Sequence, residues 1–167
     1  MTFIGVDPGP RKSGAAIVDV DFGLIWMAHD SNKEIIKTIK PYLEQGNAVL
    51  GYEWVQNYGR VVGETVMRTA HTCGRLFELA HDKNNFIHEP TRPKIVRHFT
   101  GKTNSKKPEV RDKILERFGG EDSKKKGGAL YGISNHKWDA LAVCIYLGET
   151  IYDIDRLFWT EQSWSSL

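Results

Sequence analysis

The chain has 167 residues and a mass of 19.0 kDa, and 40% of it is hydrophobic, enough for one domain with a real core and no long disordered tails. The 23 basic residues nearly balance the 21 acidic ones for a formal net charge of +2, so any anionic partner has to be recognised by where charges sit. Cys73 and Cys144 lie far apart without CxxC spacing, so neither a disulfide framework nor a zinc site is suggested, and both are expected as buried thiols. No window approaches the ~20 apolar residues that a membrane span needs, so a soluble protein of a reducing compartment is expected.

Residues 3–6 form a short apolar run that stops at Asp7-Pro8-Gly9-Pro10, the pattern of a buried strand running into a turn. Residues 14–20 and 24–28 read as two further strands, joined through Asp21-Phe22-Gly23 into an antiparallel meander. Ser31 is placed as an N-cap, with Ile35, Ile36, Ile39 and Leu43 following at helical spacing until Gly46-Asn47. Residues 48–52 are a fourth strand that delivers Glu53 at its end. A strand reached through a helix normally runs parallel to its neighbour.

Residues 59–81 read as one long helix with a stripe of Val62, Val66, Thr69/Ala70, Cys73 and Phe77. Gly63, Ala70 and Gly74 on or near that stripe would let another backbone come close, whether a partner subunit or the rest of the same chain. Residues 86–88 are a fifth strand, 92–99 and 108–118 are helices, and 119–132 is a flexible surface loop rich in Gly, Lys and Ser. Residues 135–151 form the last helix. The tail that follows carries Phe158, Trp159 and Trp164 and is expected to pack on the body or on a partner. Residues 1–167 show no internal repeat and no linker, so the expected fold is one α/β domain, a mixed five-stranded sheet with helices on both faces.

Three acids occupy similar settings. Asp7 and Glu53 end buried strands that are expected to be sheet neighbours. Asp139 lies in the first turns of a helix whose next residues are almost all apolar, where an unpaired charge is costly. His136 precedes it by three and shares its helix face. Each alone has an ordinary reading, as turn residue, strand-end surface residue, macrodipole partner or solvated helix start. Together they describe a cavity lined by hard oxygen ligands that suit Mg²⁺ or Mn²⁺. Two such ions ~4 Å apart can hydrolyse a phosphodiester.

The stretches Ile4-Gly5-Val6-Asp7-Pro8-Gly9-Pro10-Arg11-Lys12-Ser13-Gly14, Leu50-Gly51-Tyr52-Glu53-Trp54-Val55 and His136-Lys137-Trp138-Asp139-Ala140-Leu141-Ala142-Val143 resemble the RuvC-like Holliday junction resolvases of the ribonuclease H superfamily. The first and third are the specific ones, and order and spacing fit across nearly the whole chain. The resemblance leaves a phage or virus-type member open. It implies a ribonuclease H-like fold and a homodimer that nicks two strands of a four-way junction symmetrically, using two Mg²⁺ ions per site, with Mn²⁺ able to substitute. It puts metal ligands at Asp7, Glu53, His136 and Asp139, with His136 at a position usually held by Asp. Lys107, in Ser105-Lys106-Lys107-Pro108-Glu109-Val110, matches a basic residue for phosphate or transition-state charge. The family's aromatic wedge has no counterpart in the matching place, where Gln56 stands; Trp54 and Tyr58 are nearby.

Between Pro90 and Pro108 stand Arg92, Lys94, Arg97, Lys102, Lys106 and Lys107 with no acid among them; Arg60 and Arg68 add charge on the long helix, and Lys124-Lys125-Lys126 in the loop. Apart from the lysine triplet, which reads more readily as a solvated charge run, these cations and Tyr58 are the expected DNA-binding set, reading phosphate and shape rather than base sequence. The reading is therefore a crossover junction endonuclease acting on branched DNA, with no membrane or nucleotide cofactor, placed in the cytoplasm with the nucleoid, or in the host cytoplasm for a viral protein. The alternative within the superfamily is a nuclease for flaps, other branched DNA or RNA–DNA hybrids. A non-catalytic DNA-binding module conflicts with the acid set, and a sugar-kinase-like or chaperone-like ATPase with the short chain and the lack of a later Gly-rich phosphate loop.

Overall fold

The structure, a computed structural model, describes residues 1–57, 59, 61–83 and 85–151. Strand β1 (Thr2–Asp7) pairs antiparallel with β2 (Lys12–Asp19), which pairs antiparallel with β3 (Leu24–Ser31). Helix α1 (Asn32–Glu44) starts at Ser31, whose Oγ accepts from the Glu34 amide, and leads to β4 (Ala48–Tyr52). Strand β4 lies parallel to β1, and β5 (Phe86–His88) lies parallel to β4, giving the sheet order β3-β2-β1-β4-β5. The sheet is the mixed five-stranded one expected.

Alternation along the strands splits the core in two. Ile4, Val6, Ile17, Leu50 and Tyr52 face one way, onto α1 and α2 (Glu64–His81). Phe3, Ala16, Val18 and Val49 face the other, onto α3 (Arg92–Thr100), α4 (Lys107–Arg117) and α5 (His136–Ile151). Gly5 and Gly51 belong to this second face and pair with one another across β1 and β4. A Cβ on Gly5 would stand 2.2 Å from the Ala140 carbonyl oxygen and 2.7 Å from Cys144 Sγ. One on Gly51 would meet Leu147 Cδ1 at 2.6 Å, and one on Gly14 the His136 carbonyl oxygen at 2.3 Å. Helix α5 is thus sunk into a trough of side-chain-free positions on three adjacent strands. Both cysteines are buried, as expected.

Two elements differ from their sequence pattern. The long helix begins at Glu64 rather than at residue 59, because Gly59 adopts a left-handed conformation and Gly63 is extended. Its buried face is Thr69, Thr72, Cys73, Leu76 and Ala80, while Val62 and Phe77 are exposed. Thr69 and Cys73 of that face lie on the expected stripe; both buried threonines have satisfied hydroxyls, with Thr69 Oγ1 donating to Thr65 O and Thr72 Oγ1 bonding both Asn32 Nδ2 and Gly9 O. Residues 119–132 lie mostly at the surface, as expected, but are anchored to the body at Ser123 and Leu130. A 3-10 turn (Gly120–Lys124) buries Ser123, whose carbonyl accepts from the Leu130 amide, and Leu130 is itself fully buried. Gly128 is required there because a Cβ would come within 2.3 Å of Ser123 O. The expected packing of Phe158, Trp159 and Trp164 lies outside the described residues. No helix among the described residues is long and apolar enough to cross a membrane.

Because the atoms that crowd Gly5 are largely helix backbone, Gly5→Ala has to lift α5 off the sheet. A loss of at least about 2 kcal/mol is expected in chemical denaturation; an unchanged midpoint would mean that α5 is not seated in the trough.

Candidate active site

Strands β1 and β4 end side by side. Val6 pairs with Tyr52, and the Glu53 amide donates to Val6 O at 3.1 Å, so Asp7 and Glu53 leave the sheet at the same edge. Both follow their trough glycine by two residues and so share its face. The α5 trough points the same way: His136 and Asp139, three apart at the helix start, come over that edge. Asn135 supplies the turn into the helix with φ 47°, a left-handed conformation that asparagine tolerates.

Three of the four side chains meet directly, and the fourth is linked to them through a cation. His136 Nδ1 lies 2.6 Å from Asp7 Oδ2, and ligand atoms of Asp7, His136 and Asp139 all fall within 4.8 Å of one another. Glu53 joins them through Arg92, whose Nη1 is 3.4 Å from both Glu53 Oε2 and Asp139 Oδ1. Lys107, the first residue of α4, donates from Nζ to the other Asp139 oxygen at 2.6 Å. Asp7, Glu53 and Asp139 are largely enclosed, while Lys107 and His136 are about half exposed at the rim.

Crowding shows in the acidities. Burial raises the Glu53 carboxyl from its ordinary 4.5 to about 7; Arg92 opposes the shift, and the charges on Asp7 and Asp139 add to it. Asp7 is likewise raised by burial and by Asp139, against the hydrogen bond from His136. An ionised Asp7 carboxylate only accepts, so in that state Nδ1 of His136 is the donor of their hydrogen bond. Hard oxygens packed at this spacing and short of positive charge are the donor set that a Mg²⁺ or Mn²⁺ ion requires. The residues fit the metal.

Comparison with solved structures follows the same architecture. A Thermus thermophilus RuvC structure superposes with a TM-score of 0.64 at 14% identity, covering 92% of this chain and 97% of that one. T. thermophilus RuvC in complex with a Holliday junction substrate gives 0.62 at 15% identity, covering 87% and 92%. The fold is that of RuvC. No protein-family model matches the sequence, and no curated protein matches it either.

The RuvC-like fold therefore brings Asp7, Glu53, His136, Asp139 and Lys107 to one place. Arg92, expected only as a DNA contact, sits inside the acid cluster. His29 was missed altogether: its ring lies 4.8 Å from that of His136. The signal for it was register, since Asp7 pairs with Gly14 and Gly14 with His29 across three strands. Of the expected DNA-binding residues, Lys94, Arg97, Lys102 and Lys106 are exposed, and Arg68 is exposed but paired with Glu64 at 2.6 Å. Tyr58 and Arg60 lie outside the described residues. Lys124 and Lys125 pair locally with Glu121 and Asp122, each at 2.6 Å, which withdraws much of the lysine triplet's charge.

The folded chain holds the Glu53 proton more tightly than the unfolded chain does. Metal-free stability therefore falls as pH rises from about 4.5 to about 7, and the full penalty is present above that range. Glu53→Gln removes the penalty. At pH 8 without divalent ions it is expected to stabilise the protein by about 1–3 kcal/mol and to flatten this part of the pH profile, as read by denaturant melts. A destabilised variant would contradict the crowding of these acids.

Proposed function

We propose that the chain is a divalent-metal-dependent endonuclease that resolves four-way DNA junctions by paired nicks. The observation that carries this reading is the gathering of Asp7, His136 and Asp139 within 4.8 Å, with Glu53 tied in through Arg92. Such a site on a RuvC fold is supported further by the sequence resemblance around Asp7, Glu53 and Asp139, and by the RuvC structure solved with a Holliday junction substrate. Asp7, Glu53, Asp139 and His136 would hold two Mg²⁺ or Mn²⁺ ions. When bound, the ions supply Lewis-acid stabilisation of charge on the phosphate and a nucleophile at neutral pH.

The protein's own groups do the rest. The Asp7 carboxylate orients the His136 ring through Nδ1, leaving Nε2 to accept a proton or a ligand. Lys107, held against Asp139, supplies a rim cation for charge that builds on the phosphodiester. Lys94, Arg97, Lys102 and Lys106 extend positive charge along α3 and the approach to α4, where phosphates dock without base readout.

Symmetric nicking needs two sites, and α2 offers the surface for a twofold dimer. Met67, Ala70, Gly74 and Phe77 form an exposed stripe on its outer side, with Met67 63% and Phe77 41% exposed and open space over Gly74. Small residues there permit a second helix to approach closely, and an apolar stripe of this kind marks a contact.

Two experiments test the reading. Asp7→Asn is expected to keep four-way-junction binding while cleavage with Mg²⁺ falls at least about 10³-fold; retained cutting would count decisively against it. Met67→Glu is expected to shift the protein to monomer in sedimentation and to replace paired nicks by single uncoupled ones. A panel of junctions, flaps, RNA–DNA hybrids and linear duplex identifies the substrate by where paired nicks appear.

A further inference from the structure

Arg92 makes a contact that the reaction just described does not use. It opens α3, directly after a segment whose Pro90 carbonyl accepts from the Trp54 amide at 2.9 Å. The start of α3 is thus tied to the residue following Glu53. From there the guanidinium bridges two acids, with Nη1 at 3.4 Å from Glu53 Oε2 and from Asp139 Oδ1. Lys107 covers the remaining Asp139 oxygen. Both oxygens of Asp139 and one of Glu53 are therefore already engaged by the protein's own cations.

A divalent ion needs the same lone pairs. It also places positive charge beside the guanidinium in a partly enclosed site, where like charges repel strongly. Arg92 has room to leave, since its side chain is 32% exposed, and its planar fork suits phosphate as well as carboxylate. The 3.4 Å separations are also long for a charge-assisted bond, so the grip on each acid is weak.

We propose that Arg92 is an exchangeable counter-ion that bridges Glu53 and Asp139 in the metal-free protein and moves to a DNA phosphate when a divalent ion takes their oxygens. The idea rests on the metal-site reading above and adds to it a coupling between metal and DNA. Metal frees Arg92 for the phosphate, and phosphate draws Arg92 away from the acids. By linkage each ligand then strengthens the other by the same factor. Arg92 is in this sense a positioning residue for the acids and a phosphate ligand afterwards.

The test is Mn²⁺ titration calorimetry on DNA-free wild type and Arg92→Gln at pH 8.5, where Glu53 is ionised, with junction affinity then measured with and without Ca²⁺. The variant is expected to bind Mn²⁺ at least about 5-fold more tightly and to lose most of the Ca²⁺-dependent gain in junction affinity that wild type shows. Wild type gives an independent readout by side-chain ¹⁵N NMR. The Arg92 guanidinium resonance is expected to shift on adding Mg²⁺ and to shift again on adding junction DNA. Equal or weaker metal binding by the variant, or an Arg92 resonance indifferent to Mg²⁺, overturns the exchange and leaves the nuclease reading standing. Absence of metal binding by both proteins overturns both.

Discussion

The close seating of α5 on the sheet governs everything else in this molecule. Helices normally keep their distance from a sheet because side chains intervene. At Gly5, Gly14 and Gly51 none do, and the helix backbone and side chains occupy the space that a Cβ would take. Because Gly5 and Gly51 lie two residues before Asp7 and Glu53, the geometry that seats the helix also fixes where its first turn arrives. His136 and Asp139 reach the strand ends as a consequence of packing, and the site inherits the rigidity of the core.

The same seating forces negative charges together, and the molecule answers this in two different ways. At Glu149 burial alone would raise the pKa. Hydrogen bonds from His98 at 2.5 Å and from Arg117 at 2.7 Å outweigh it and hold the carboxyl below its ordinary value. That acid is satisfied, and it joins α3, α4 and α5 as a structural tie. Glu53 is enclosed as well, but among the described residues its ion-pair partner is a guanidinium at 3.4 Å, and its carboxyl rises to about 7. A buried acid left short of compensation in a cluster of like charges marks a functional site rather than a brace. On the proposed reading, the stability lost there would be recovered when divalent cations bind.

Much of this was legible in the sequence. The strand ends at Asp7 and Glu53 followed from apolar runs broken by turn residues, and their adjacency from the helix that leads into the fourth strand. The i, i+3 spacing put His136 and Asp139 on one face, and Ser31 announced its cap. Illegible parts share a cause, which is that tertiary contacts override local pattern. The expected stripe on α2 caught Thr69 and Cys73 but missed Thr72, whose hydroxyl is hidden in hydrogen bonds, together with Leu76 and Ala80. The Gly-rich residues 119–132 suggested freedom where glycine instead permits close packing against Ser123. Arg92 read as one cation in a basic run, since nothing in its neighbours reports acids 39 and 47 residues away.

The central claim is that β1, β4 and α5 jointly present one divalent-ion site. Anomalous scattering from crystals grown with Mn²⁺ tests it most directly. The account predicts an anomalous peak within coordination distance of Asp7, Glu53 and Asp139 together. A peak at one of these acids alone, with the others turned elsewhere, or none at this edge of the sheet, would contradict it.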